Sequence, residues 1–247
     1  MVEIMIVQKF GGIAMQNHQN RQLVIQRILQ AIHTHEKVLV VVSAMGRRGK
    51  PYATDTLLDL LPFTENSIET DLLSACGELI SSSVLSMELK ANGVSSTLLY
   101  GRNAGIFTND NYGNALIKKV DLSSVHQAFE NFQCVIVPGF QGVSESTQNF
   151  TTLGRGGSDL SAVVYGYYLN ADMVEFYKDV PGIMTSDPFT SKHAELIPFM
   201  SYEELQEKID EPVEVIQKRA ATFAALHQVR LHIRSLYKDS DGTFVSN

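Results

Sequence analysis

Cysteine is scarce in this chain: Cys76 and Cys134 are the only two in 247 residues. They lie far apart and offer no metal-ligand spacing. Two thiols in a chain this long fit a reducing compartment rather than a disulfide-stapled secreted domain. Long apolar runs are missing as well. The longest, residues 38–42, is far too short to cross a bilayer. Residues 1–10 contain no apolar stretch leading to a small-residue cleavage site. The expected location is therefore the cytoplasm, and the sequon Asn149-Phe150-Thr151 is read as chance. Basic residues never gather beyond the pairs Arg47-Arg48 and Lys118-Lys119, and the net charge is −7. That excludes nucleic acid and an anionic membrane as the expected main partners. His33 and His35 stand two apart in a helical stretch, and His227 and His232 bracket a turn. Neither pair has zinc-type spacing, so no protein-ligated metal is expected. Internal repeats, low-complexity tracts and a clear linker are absent too.

What is present is enough apolar material for a sizeable core: 44% hydrophobic against 19% charged. The length suits one large α/β domain or two lobes. Residues 3–7 and 38–42 read as strands, the second buried on both faces. Leu23, Val24, Ile28 and Ile32 form a helical stripe between them. A long helix is predicted over 71–91, and further strands over 95–100, 135–140, 173–177 and 229–235. Ser201 and Glu204 form a capping box that starts a helix, and another helix is predicted over 214–226. Residues 239–247 read as a polar tail, and 47–52 as a mobile loop. Strands alternate with helices, which predicts a mainly parallel sheet in an α/β sandwich. Several strands run into glycine-bearing loops, and in such sheets ligands sit beyond the strands' carboxyl ends.

The most informative stretch is Thr152-Leu153-Gly154-Arg155-Gly156-Gly157-Ser158-Asp159. Its glycines let the backbone approach a ligand closely. Ser158 and Asp159 stand where a helix cap is expected, ahead of an apolar run. A turn of this kind points free N–H groups and a positive dipole end at an anion. Arg155, inside the turn, carries a planar fork that suits a carboxylate or phosphate. Glu78 is a second unusual residue. It falls in an otherwise apolar helical stripe, where a carboxylate is costly without a cationic partner.

Taken together these loops resemble the catalytic domain of aspartate kinases, in the amino-acid kinase superfamily. The matching stretches are Lys9-Phe10-Gly11-Gly12, Val42-Ser43-Ala44-Met45-Gly46-Arg47, Ser74-Ala75-Cys76-Gly77-Glu78, Gly139-Phe140-Gln141-Gly142, the glycine-rich turn above, and Asp179-Val180-Pro181-Gly182-Ile183. Tyr52-Ala53-Thr54-Asp55-Thr56-Leu57-Leu58 is similar to the single-function members.

The resemblance implies a three-layer α/β/α sandwich with a mainly parallel central sheet. It also implies an amino-acid lobe in the N-terminal part and a nucleotide lobe from about residue 165. The implied reaction is ATP-dependent phosphorylation of the β-carboxylate of L-aspartate, the first step towards lysine, threonine and methionine. Lys9 would bridge the acceptor carboxylate and the transferring phosphate, with Asp159 orienting it. Ser43, Glu78, Arg155, Gly156, Gly157 and Ser158 would hold the substrate, Glu78 at the α-ammonium and Arg155 at the α-carboxylate. Gly11, Gly12, Lys178, Asp179, Met184 and Asp187 would hold the nucleotide. Mg²⁺ would arrive with ATP. A homodimer is implied, or pairing with a full-length kinase.

The chain also departs from the family pattern. Ile13 replaces a hydroxyl residue of the phosphate loop, and Phe189 and Glu214 stand where the family has cations. These changes imply a weakened nucleotide half and motivate a second reading, an amino-acid-binding regulatory paralogue. The family's paired effector-binding (ACT) domains would follow where this sequence stops, so lysine and threonine are not expected to inhibit it.

Overall fold

The computed structural model describes residues 4–186, 191, 193–208 and 215–247. Its elements follow in order: β1 (Met5–Phe10), α1 (Gly12–Met15), α2 (His18–Thr34), β2 (Lys37–Val42), α3 (Thr54–Leu58), α4 (Ile68–Ala91) and β3 (Ser96–Leu98). A 3₁₀ turn (Gly101–Ala104) leads into β4 (Ile106–Thr108), β5 (Ile117–Val120), α5 (Ser123–Phe129), β6 (Cys134–Pro138), β7 (Gln141–Ser144), β8 (Phe150–Thr152) and α6 (Gly157–Tyr168). The chain continues through β9 (Met173–Lys178), β10 (Phe199–Met200), α7 (Tyr202–Lys208), α8 (Lys218–His227), β11 (Leu231–Ser235) and β12 (Thr243–Val245).

Eight strands form the main sheet in the order β10-β12-β11-β9-β1-β2-β6-β3. All neighbours run parallel except the pair β11 and β12. The expected mainly parallel α/β architecture is therefore what the chain adopts. Alternation along the strands splits the core in two. Val7, Leu39, Val41, Val135, Val137, Val174 and Phe176 pack against α5, α6, α7 and α8. Ile6, Phe10, Val38, Val40, Val42 and Ile136 face the other way, against α2 and α4. Both sheet faces are thus covered, which is why β2 and β6 read as apolar runs.

Local signals set the helix ends. Asn17 caps α2 by accepting from the Asn20 amide at 2.8 Å. Ser67 caps α4 in the same way through the Thr70 amide at 3.3 Å, so this helix begins before the predicted residue 71. The capping box forms: the Ser201 amide donates to Glu204 at 2.7 Å, and the Glu204 amide donates to Ser201 Oγ at 3.2 Å. By length and composition α4 could cross a membrane, but half of its apolar window is buried inside the protein.

Three sequence expectations are corrected. Residues 239–247 are not simply a tail, because β12 pairs with both β10 and β11. A second, four-stranded sheet (β5-β4-β7-β8) is built from residues 106–120 and 141–152, where no strand was predicted. The helix predicted from 214 starts at Lys218 among the described residues.

Candidate active site

Register places the first charge. Lys9 pairs with Val41 of β2 and Phe176 of β9, so its side chain shares the sheet face of Val7 and Val41, under α6. Asp159 sits in the first turn of α6 and meets it, with Lys9 Nζ 2.5 Å from Asp159 Oδ1. Lys178, at the end of β9, approaches Asp159 Oδ2 at 3.5 Å. The Gln217 amide donates to the same oxygen at 3.4 Å. Burial alone would raise the Asp159 carboxyl, but the ammoniums of Lys178 and Lys9 outweigh it and hold the group at about 2. Asp159 is therefore a fixed anion between two cations.

The turn before α6 is arranged differently from the expected cap. Gly156, not Ser158 or Asp159, is the N-cap, at φ 76°, and no side chain caps the helix. A left-handed residue here demands glycine. Ser158 and Asp159 then fall inside the first turn, which points Asp159 at Lys9 and leaves the amide end of α6 open. The turn is anchored from below by Asp71 of α4. Its buried carboxylate accepts from the Thr152 amide at 2.7 Å, Thr152 Oγ1 at 2.8 Å and the Gly113 amide at 2.9 Å.

Two turns further along α4 stands Glu78, 3% exposed. One carboxylate oxygen accepts from the Ala44 amide at 3.1 Å. The other has no hydrogen-bond partner among the described residues. The cationic partner that the sequence led us to expect is therefore not in contact with it. Burial pushes the Glu78 carboxyl up to about 8, against smaller opposing effects of the Ala44 amide, its own amide and the Lys9 charge. At neutral pH the group holds a proton until a cation reaches it.

Glu78, Lys9 and Asp159 open on one cavity of about 320 Å³, shared with Gly12, Ser43, Phe140, Gly156, Gly157 and Ser158. A second cavity of about 160 Å³ adjoins it, walled by residues 11–14, Gly46, Arg47, Tyr177, Lys178, Asp179, Leu236 and Tyr237. Gly12, Gly46 and Lys178 belong to both walls. The loops after β1 and β2 touch there: the Gly46 amide donates to the Gly12 carbonyl at 2.8 Å. A Cβ on Gly12 would stand 2.5 Å from the Gly46 carbonyl oxygen, so no larger residue fits this contact. Behind the second cavity, Tyr177 stacks on Phe10 at 4.9 Å and donates to Glu175 at 3.0 Å.

Most of the predicted site residues meet at these cavities. Ser43, Glu78, Gly156, Gly157 and Ser158 join Lys9 and Asp159 in the first; Gly11, Gly12, Lys178 and Asp179 line the second. Arg155 is exposed and outside both walls, next in sequence to Gly156. Met184 also lies outside them, bridged to Leu196. Asp187, Phe189 and Glu214 lie outside the described residues. Ile13 does line the second cavity, and it brings no hydroxyl. Sequence reasoning missed Arg47, Thr54, Phe140, Tyr177, Gln217 and Tyr237. Arg47, Thr54 and Phe140 carried a signal, their place in the family-like stretches; Phe140 also follows Pro138-Gly139, and its φ of 69° is a strained value for a bulky residue. No group of three metal-ligating side chains occurs among the described residues.

Comparison with known proteins gives the family and the fold. The model of the amino acid kinase family matches residues 5–235. Aspartokinase 1 of Bacillus subtilis strain 168 is 41% identical over 98% of this chain and 60% of its own length. The aspartokinase of Mycolicibacterium smegmatis is 37% identical over 98% of this chain and 57% of its own. The crystal structure of aspartate kinase from Synechocystis superposes with a TM-score of 0.82 at 36% identity, covering 98% of this chain and 40% of that one. The chain thus spans at most 60% of the length of these relatives.

Proposed function

The chain belongs to the amino acid kinase family, and from that premise we propose that it transfers the γ-phosphoryl group of ATP to the β-carboxylate of L-aspartate. The product is 4-phospho-L-aspartate, the activated intermediate on the route to lysine, threonine and methionine. The observation that carries the proposal is Glu78, a buried carboxylate with one unpartnered oxygen in the cavity that also holds Lys9. An α-ammonium is the missing partner, and a carboxylate at the far end of the same small molecule would meet Lys9. The names of the relatives at 41% and 37% identity point to the same substrate.

Each residue then has a task. Glu78 gives up its proton and takes the substrate ammonium. Arg155 reaches the α-carboxylate from the turn when substrate binds, and Ser43 and Ser158 supply hydroxyls to the polar groups between. Lys9 neutralises the acceptor carboxylate so that it can approach a polyanion, and Asp159 fixes Lys9. Phosphoryl transfer needs such positioning and charge neutralisation more than covalent chemistry. ATP enters as its Mg²⁺ complex, with the metal held on phosphate oxygens and water. The backbone at Gly11 and Gly12, with Lys178 and Asp179, receives its phosphate end; Met184 and Asp187 belong to the same proposal. The N-terminal part serves as the amino-acid lobe and the part from about residue 165 as the nucleotide lobe. Two copies pairing in the cytoplasm completes the reading, and sedimentation of the purified chain tests that pairing.

The decisive experiment is an ATP- and aspartate-dependent assay with hydroxylamine trapping of the acyl phosphate. Hydroxamate is expected with aspartate and not with glutamate or succinate. ADP release without hydroxamate, or equal rates with succinate, which lacks the ammonium, would defeat the assignment.

A further inference from the structure

Lys178 occupies a position that nucleotide binding alone does not explain. The two cavities share three residues, and two of them are glycines; Lys178 is the third. Lys9, by contrast, lines only the first cavity. The two lysines hold the same carboxylate by opposite oxygens, Lys9 tightly at 2.5 Å and Lys178 loosely at 3.5 Å. Two ammoniums on one carboxylate leave a net positive charge. The looser partner keeps its protons free for a second anion. Register sets the direction. Lys9 pairs with Phe176, so Lys178 projects from the same sheet face one side-chain step nearer the strands' carboxyl ends, about 6.5 Å on. Burial also pushes the Lys178 ammonium below its ordinary range, with Asp159 pulling the other way. A cation partly shielded from water, as half-buried Lys178 is, gains more from an incoming anion than a fully hydrated one.

We propose that Lys178 is a second catalytic cation, one that stays with the phosphoryl group as it crosses from the nucleotide cavity to the acceptor cavity. The proposal rests on the kinase reading above. In the step, a carboxylate oxygen of the acceptor bonds to the γ-phosphorus. The bond from that phosphorus to the bridging oxygen breaks, and its electron pair leaves on ADP. No proton is exchanged, and the total charge is unchanged. The three peripheral oxygens carry the charge in flight. They pass between the Gly12 backbone and Lys178, where the cavities meet, while Lys9 remains on the acceptor.

A ligand of ground-state ATP would act mainly on KM, whereas a group that acts in flight lowers kcat. The test compares wild type, Lys178→Met and Lys178→Arg by steady-state kinetics. Calorimetry with Mg²⁺ then follows ADP alone and ADP with aluminium fluoride, a mimic of the phosphoryl group in flight. Lys178→Met is expected to lower kcat by about 100-fold, the usual scale for one lost transition-state donor, with both KM values within about threefold. Affinity for ADP–aluminium fluoride should fall about 30-fold while ADP binding holds, and Lys178→Arg should recover part of that loss. Equal losses for ADP and ADP–aluminium fluoride, or a kcat within about threefold of wild type, would overturn the proposal. Should Lys178→Met prove unfolded by circular dichroism, Lys178→Gln takes its place. Wild type that yields no hydroxamate from aspartate would sink the substrate assignment alone, because the aluminium fluoride titration reads Lys178 without any acceptor.

Discussion

The two halves of the cleft are built from different materials. The half proposed for the amino acid takes its charges from regular elements: Lys9 from β1, Glu78 from the middle of α4, Asp159 from the first turn of α6. All three are buried. The half proposed for the nucleotide takes most of its polar groups from turns and element ends: the backbone after β1, Arg47 after β2, Lys178 and Asp179 at the end of β9 and Tyr237 after β11, with Arg47 and Asp179 exposed. Side chains on packed elements lose little further freedom on binding, while groups on loops must be ordered by the ligand. Substitutions in the first half should therefore act sharply, and those in the second by degrees.

The largest effect should come from Lys9→Ala. It removes the charge at the acceptor, and turnover should fall about 10³-fold. Lys178 still balances Asp159, so the melting temperature should change little. A variant with near-normal turnover would erase the contrast between the halves at its strongest point.

Glu78→Gln comes next. Losing a charged hydrogen bond of about 1.5–3 kcal/mol should weaken aspartate binding ten- to about 100-fold and leave ATP binding alone. The same residue makes a pH prediction. Its carboxyl lies at about 8 in the folded chain against an ordinary 4.5. The folded state therefore keeps a proton that the unfolded state releases. The stabilising contribution is complete below 4.5 and is lost as pH rises towards 8. Aspartate binding runs the opposite way, since the bound ammonium needs the ionised form. Affinity should rise up to about tenfold per pH unit from 6 towards 8. Calorimetry of wild type and Glu78→Gln across that range checks both, and a parallel slope in the two proteins would refute the role.

Arg155→Lys should be milder. One ammonium cannot reproduce the fork, and a loss of about 1 kcal/mol, roughly fivefold in aspartate affinity, is expected. A change confined to ATP affinity would move Arg155 to the other half. Smallest of all should be Tyr237→Phe, which removes from the wall of the second cavity one hydroxyl that accepts from the Asn20 side-chain amide at 3.0 Å. A stability loss of about 1 kcal/mol with ATP affinity within about twofold would fit a loop-built, adaptable half. A tenfold loss of ATP affinity would show that this half is as rigid as the other.

The sequence made the main sheet legible because β2 and β6 are apolar on both faces, β1 and β9 are largely apolar, and all four run into glycine-bearing loops. The loops after β1 and β2 disclosed Lys9, Gly11, Gly12 and Ser43, and the turn before α6 disclosed Gly156. The second sheet stayed hidden because its strands run only three or four residues and mix Thr, Gly and Lys with the apolar positions. Strand β12 is a three-residue segment flanked by Gly242 and Ser246, and it owes its place to pairing rather than to pattern. Asp71 looked like one more polar residue near a helix start. Its importance comes from Thr152 and Gly113, both more than 40 residues away. Tyr177, Tyr237 and Gln217 reach the cleft only through the crossover of β9 and β11, which no local spacing reveals.

One consequence of the β1–β9 register concerns length rather than composition. Lys9 and Lys178 face α6 because each is in step with the apolar alternation of its own strand. Deleting a single residue within Met5–Phe10 would turn Lys9 towards α2 and α4 and bring Gln8 into its place, while also exchanging the two cores' side chains. Conservative replacements can be absorbed one at a time along these strands, whereas an insertion or deletion damages packing and chemistry together. In a library of length variants, active members should therefore carry their indels in exposed segments such as 145–149 or 62–65, and almost none inside β1 or β9.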